Sequence, residues 1–203
     1  MILIGVVGGI ASGKSEVSGA LQRLGAKLVD ADRIGHEVLE DPEVKAAIGQ
    51  RWGGEVFDAH GLVDRRRVAG IVFAAPPKGP EELTFLEQWT HPRIGQQLRE
   101  QIAKWARTGR VKAAVLDAPM LLKAGWDAFC DRLLFVDAPR EQRLARARRR
   151  GWNEAEYDAR EAAQEALALK RSRANAIIDN SSSLEYTFAQ VDQFWRSHVE
   201  PGL

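Results

Sequence analysis

The sequence predicts a doubly wound α/β fold, a parallel sheet of about five strands flanked by helices. Three observations carry this reading. Short β-branched apolar runs recur along the chain, long amphipathic segments lie between them, and a glycine-rich loop joins the first run to the first such segment.

Residues 2–7 form an apolar run bounded by glycine, suited to a strand buried on both faces, and residues 26–29, 113–116, 133–136 and 176–178 repeat the pattern. Helical spacing of apolar positions predicts helices over about 14–24, 82–107, 141–150, 154–171 and 184–198. Residues 74–80, rich in alanine and proline, read as a loop. The interval between the second and third strands is far longer than a crossover needs and is mostly helical in pattern, so it reads as a helical insertion. Within it Pro92, following His91, is expected to break or kink the long helix.

With 203 residues, 45% of them apolar, the chain is expected to build one sizeable core. The formal charge of +1 excludes a polycation drawn to nucleic acid or to an anionic membrane, so any anion site must be local. The single cysteine, Cys130, and the lack of zinc-ligand spacing suit a reducing, cytoplasmic compartment. No apolar run has the length of a membrane span.

In an open α/β sheet, chemistry collects just past the strands, here at Gly8, Asp30, Asp117, Asp137 and Asp179. Gly8-x-x-x-x-Gly13-Lys14-Ser15 leaves a strand and opens a helix, the context that distinguishes a phosphate-cradling loop from a chance match. Gly9, Ala11, Ser12, Gly13 and Glu16 belong to this ATP-binding stretch, whose backbone N–H groups and helix N-terminus favour phosphate. Lys14 is expected to reach the β- and γ-phosphates, and Ser15 to bind Mg²⁺. Asp117 is expected to support that ion through its surroundings rather than by direct contact. Asp30 and Asp32 close the second strand, with side chains on opposite sides if the chain is still extended; one can orient an acceptor hydroxyl and the other can cap the next helix.

Between Arg140 and Arg150 six of eleven residues are arginine, and Arg143, Arg146 and Arg150 share a helical face. Such a run is either a solvated face or, beside a phosphate loop, a lid that brings arginine to the moving phosphoryl group. Asp58-Ala59-His60-Gly61 mimics a GTPase switch, but no strand precedes it and the chain has no Asn-Lys-x-Asp guanine reader, so it reads as a turn.

Taken together, the chain resembles the dephospho-coenzyme A kinases over nearly its whole length. The resemblance rests on Val7-Gly8-Gly9-Ile10, Val29-Asp30-Ala31-Asp32-Arg33-Ile34, Gly61-Leu62-Val63-Asp64-Arg65, Ile71-Val72-Phe73 and His91-Pro92-Arg93-Ile94. It continues through Pro119-Met120-Leu121-Leu122, Arg146, Arg150, Arg160-x-x-x-Gln164 and Ile177-Ile178-Asp179-Asn180.

What it implies is a phosphate-loop kinase fold and ATP- and Mg²⁺-dependent phosphorylation of the ribose 3′-hydroxyl of dephospho-CoA. Asp32 matches the base, Lys14, Arg146 and Arg150 act on the phosphates, and Asn180 lies near adenine. Asp32, Arg65, His91 and Pro119 match the acceptor side. One kinase domain is implied, with residues 1–32 and 109–203 as core, a lid at about 139–165, and residues 33–108 as the insertion that holds the CoA moiety. Ala11, Glu16, Lys123, Arg143 and Asn175 depart from the family pattern, which more often has glycine, threonine, glutamate, glutamine and aspartate there. Another small-molecule kinase of this architecture, or a nucleotide-dependent switch, are the alternatives.

Overall fold

The computed structural model describes residues 1–201. In chain order it contains β1 (Ile2–Gly8), α1 (Lys14–Arg23), β2 (Lys27–Val29), α2 (Ala31–Leu39), α3 (Pro42–Trp52), α4 (Arg65–Val72) and α5 (Lys78–Thr108). These are followed by β3 (Ala113–Asp117), β4 (Arg132–Asp137), α6 (Arg140–Arg149), α7 (Glu154–Ala162), α8 (Leu167–Arg173), β5 (Ala176–Asp179) and α9 (Leu184–His198). The chain divides into two compact units, residues 1–30 with 101–203, and residues 31–100.

The larger unit is the expected parallel sheet, in the order β2-β3-β1-β4-β5. On one face Val17 and Leu21 of α1 and Val191, Phe194 and Trp195 of α9 close over Ile4, Val6, Val115, Leu134, Val136 and Ile178. The other face approaches β1 so closely that a Cβ on Gly5 would lie 2.6 Å from Leu133 Cδ2 and 2.8 Å from Cys130 Sγ. Asn175, one of the departures, holds the start of β4 through its Oδ1, which accepts from Leu133 N at 2.7 Å.

The smaller unit consists of α2, α3, α4 and most of α5. Asp41 and Asp64 cap α3 and α4 by accepting from the second and third backbone N–H groups. Buried Glu82 joins two elements: Arg51 donates to it at 2.9 and 3.1 Å, and Trp52 Nε1 at 2.7 Å. Asp58 accepts from His60 N at 2.8 Å and Leu62 N at 2.9 Å, so the segment is the expected turn.

Four local expectations are corrected. β2 stops at Val29 and α2 begins at Ala31, so Asp32 sits in a helical first turn and the opposite-sided arrangement with Asp30 does not arise. α5 begins at Lys78 rather than after a loop ending at 80; Pro80 falls in the first turn, where its missing N–H removes no helical bond. Pro92 does not break α5. Nearby, the Leu86 carbonyl accepts from Thr90 Oγ1 at 2.9 Å and the Trp89 carbonyl from Arg93 Nη1 at 3.1 Å. The helix expected over 154–171 is two helices, and Gln164 lies in the gap between them.

Candidate phosphate-binding site

β1 is the central strand, and it delivers Gly8 into the loop that turns into α1. The first N–H groups of a helix have no partner within it, and Gly13 at this N-terminus offers no capping side chain. Gly13 has φ +100°, and a Cβ there would come 2.0 Å from Asn180 Nδ2, so both backbone and space demand glycine. Ser12 Oγ is buried in this loop and finds no hydrogen-bond partner among the described residues. An orphaned hydroxyl beside an uncapped helix N-terminus fits a phosphate.

The loop is held from outside by two residues. Arg146 of α6 donates to the carbonyls of Ser12 at 3.0 Å, Ala11 at 3.3 Å and Asn180 at 2.9 Å, and to Gln142 Oε1 at 3.3 Å. Asn180 is buried; its amide donates to the Ser12 carbonyl at 2.7 Å and accepts from Thr187 Oγ1 at 2.9 Å. Both side chains therefore shape the loop, and the Asn180 amide is occupied by protein partners. α6 and α7 also pack on the loop through Leu144, Ala147 and Tyr157 against Ile10 and Ala11. Ala11 lies at φ 56°, in the left-handed region that glycine favours.

The arginines of the run divide by their surroundings. Arg140 and Arg148 are exposed and pair with Glu154, and Arg140 also with Asp158. Arg143 is buried, donating to the Ala138 carbonyl at 3.0 Å and to Tyr157 and Glu161. It lies beneath Gly9, where a Cβ would meet its Nη1 at 2.7 Å. Arg150 is exposed at the end of α6.

Lys14 is half-buried, and its Nζ donates to the Gly9 carbonyl at 3.2 Å. Burial lowers its pKa from the ordinary lysine value; Asp117 opposes the shift, and Arg150 and Arg143 add to it. Asp117, at the end of β3, accepts from Ser18 Oγ at 3.0 Å, which ties it to α1. Ser15 and Glu16 are exposed on the first turn of α1. Pro119 shares with Lys14 a small cavity also lined by Gly8, Leu122, Gln164 and Lys170. Exposed Lys123 follows, and nothing in the structure explains its charge reversal.

Asp32, Arg65 and His91 belong to the smaller unit. Arg65 opens α4 and lies 3.2 Å from His36 Nδ1 of α2, while His91 is half-buried midway along α5.

The sequence reading missed Lys170. Its Nζ donates to Gln164 Oε1 at 2.7 Å and to the Gly8 carbonyl at 3.5 Å. A lysine in an amphipathic segment is ordinarily solvated, so the residue type pointed outward. Ser18 and Thr187 were missed for a similar reason: a hydroxyl inside a helix carries no signal until its partner on another element is known.

A parallel sheet whose central strand runs into this loop, lysine and arginine clamp defines a phosphate-loop nucleotide-binding protein of the kinase type. The chain belongs to the dephospho-CoA kinase family, whose family model matches residues 2–185. It is 40% identical over 199 residues to the dephospho-CoA kinase of Symbiobacterium thermophilum, covering 97% of this chain and 81% of that one. It is 38% identical to the dephospho-CoA kinase of Geobacter metallireducens, covering 98% of both chains. Among solved structures, a Thermus thermophilus protein superposes with a TM-score of 0.77 at 31% identity, covering 97% of each chain. The Campylobacter jejuni dephospho-CoA kinase shares the fold with a TM-score of 0.64 at 23% identity, covering 96% of each. Among the described residues, no helix is long and apolar enough to cross a membrane.

Proposed function

We propose that this chain transfers the γ-phosphoryl group of ATP to the ribose 3′-hydroxyl of dephospho-CoA, giving CoA and ADP. The observation that carries the reading is the loop itself, uncapped at α1 and clamped by Arg146 and Asn180, in a chain of this family. Lys14 holds the β- and γ-phosphates, and the loop N–H groups from Gly9 to Glu16 cradle them. Arg150 joins Lys14 at the transferred group, and Arg146 acts by keeping the loop in shape. Mg²⁺, when bound, would supply charge neutralisation to the phosphates. Ser15 would hold it, with Asp117 supporting. A hydroxyl and one carboxylate suit an ion that keeps several waters and borrows phosphate oxygens.

Asp32 accepts the proton of the attacking hydroxyl. Its place in the first turn of α2, directly after β2, puts a carboxylate on a rigid element rather than a loop. The smaller unit is the insertion that holds the CoA moiety through Arg65 and His91, and Pro119 is a further residue for the acceptor. The protein works in the cytoplasm on a small-molecule substrate, without nucleic acid or membrane as partner.

Following CoA by mass while ADP is measured tests the activity, and one CoA per ADP is the expected result. ATP consumption that is independent of dephospho-CoA would favour a switch. Asp32→Asn is expected to lower turnover by about 10²-fold or more while ATP affinity stays within a factor of about two. An unchanged rate would remove Asp32 from the mechanism.

A further inference from the structure

In α8 the ordinary order of burial is inverted: Leu169 is 43% exposed, whereas Lys170 beside it is 4% exposed. Transfer free energies favour the opposite arrangement. Taking an ammonium out of water costs several kcal/mol unless opposite charge compensates it. Compensation is weak here, because both hydrogen-bond partners, Gln164 Oε1 and the Gly8 carbonyl, are neutral oxygens. Burial, and then the charge of Lys14, push the Lys170 pKa down; Glu165 and Glu161 oppose this and Arg143 adds to it.

The surrounding structure is arranged to keep the ammonium there. The gap between α7 and α8 brings Gln164 back to Lys170, although the intervening alanine-rich sequence favours continuous helix. Lys170 and Lys14 line the same cavity under the loop, of about 10 Å³, enough for one oxygen atom of water size. Two lysines converging on such a space repel each other until an anion enters it.

We propose that Lys170 is a second lysine of the transfer site, which donates to an oxygen of the terminal phosphate from α8 while Lys14 donates from α1, with Gln164 holding its Nζ in place. The inference deepens the kinase reading and rests on it for the turnover measurement, while the nucleotide-binding measurement requires only ATP and ADP. The selectivity for triphosphate follows from position: a cation at the γ-phosphate distinguishes ATP from ADP, whereas one that only braces the loop affects both.

Lys170→Met and Lys170→Arg test it, with ATP and ADP affinities measured by titration calorimetry and CoA formation by mass. In Lys170→Met, ATP affinity is expected to fall about tenfold with ADP within about threefold, and kcat to fall by about 10²-fold. Lys170→Arg is expected to recover about tenfold of the lost rate, because the charge is restored. ATP and ADP weakening together in Lys170→Met, or a kcat within about threefold of the parent, would overturn the proposal. Should Lys170→Met not fold, Gln164→Leu decides: kcat down about tenfold with ADP affinity unchanged supports it, and an unchanged kcat overturns it. If the parent protein makes no CoA, the ATP-to-ADP ratio still reads Lys170, so the two failures are told apart.

Discussion

The smaller unit and the phosphate loop of the larger one deal with positive charge in different ways. In the smaller unit basic groups meet carboxylates: Arg51 with Glu82 at 2.9 Å, Lys45 with Glu40 at 3.1 Å, Arg67 with Asp64 at 3.2 Å, and Arg93 with Asp41 and Glu43. Around the phosphate loop the bonds of Lys14, Arg146 and Lys170 go to carbonyl and carboxamide oxygens. Arg143, beneath Gly9, is by contrast neutralised by a carboxylate, Glu161. Charge satisfied internally stabilises a scaffold, whereas charge held by neutral dipoles remains available to an anion.

The largest effect expected from breaking this contrast is at Arg146. Arg146→Met removes the donor shared by the Ala11, Ser12 and Asn180 carbonyls. It is expected to lower the unfolding free energy by about 1–3 kcal/mol and ATP affinity by about tenfold. Arg146→Lys is expected to recover little, since one ammonium does not reproduce the fork. Denaturant melts combined with ATP titration check both, and a stable variant with normal ATP affinity would show that the loop holds its shape without the clamp.

The counterpart in the smaller unit is Glu82→Ala, which strands the Trp52 indole N–H and is expected to cost about 1–3 kcal/mol of stability. Its ATP affinity is expected to be unchanged, and a loss would refute the division of roles. Hydrogen bonds from Arg51 and then Trp52, with the Arg51 charge, hold the Glu82 carboxyl below its usual pKa. Its contribution is therefore present above the unfolded-chain value of about 4.3 and is lost as pH falls through the lower folded value. The stability gap between parent and Glu82→Ala should accordingly be full at neutral pH and close progressively below about pH 4.

The smallest effect is at Ala11, where Ala11→Gly trades left-handed strain for unfolded-chain entropy and a lost buried methyl. The net change is expected to lie within about 1 kcal/mol of zero, on the stabilising side. Destabilisation beyond that would mean the Ala11 methyl, packed against Leu144 and Ala147, outweighs the strain.

Local chemistry made much of the molecule legible in advance. The five strands, the loop between β1 and α1, the turn at Asp58 and the long helix before β3 each announce themselves through periodicity or glycine placement within a dozen residues. Lys14 and Ser15 were singled out by the glycine-loop spacing and Asp117 by its position past a strand. The misreadings share a cause: whether Pro92 breaks α5, or an alanine-rich stretch forms one helix or two, depends on partners distant in sequence.

The sequence by itself thus determined the fold class, the phosphate loop and the family resemblance, because these are written in contiguous or regularly spaced residues. Only the tertiary structure decided what the arginines and Lys170 do. Arg143, Arg146, Arg148 and Arg150 are the same residue on one short segment, yet one is buried under Gly9, one clamps the loop, and two are exposed. Burial and hydrogen-bond partners come from elements far apart in the chain, and a long basic side chain takes its role from whichever oxygen the fold brings within reach.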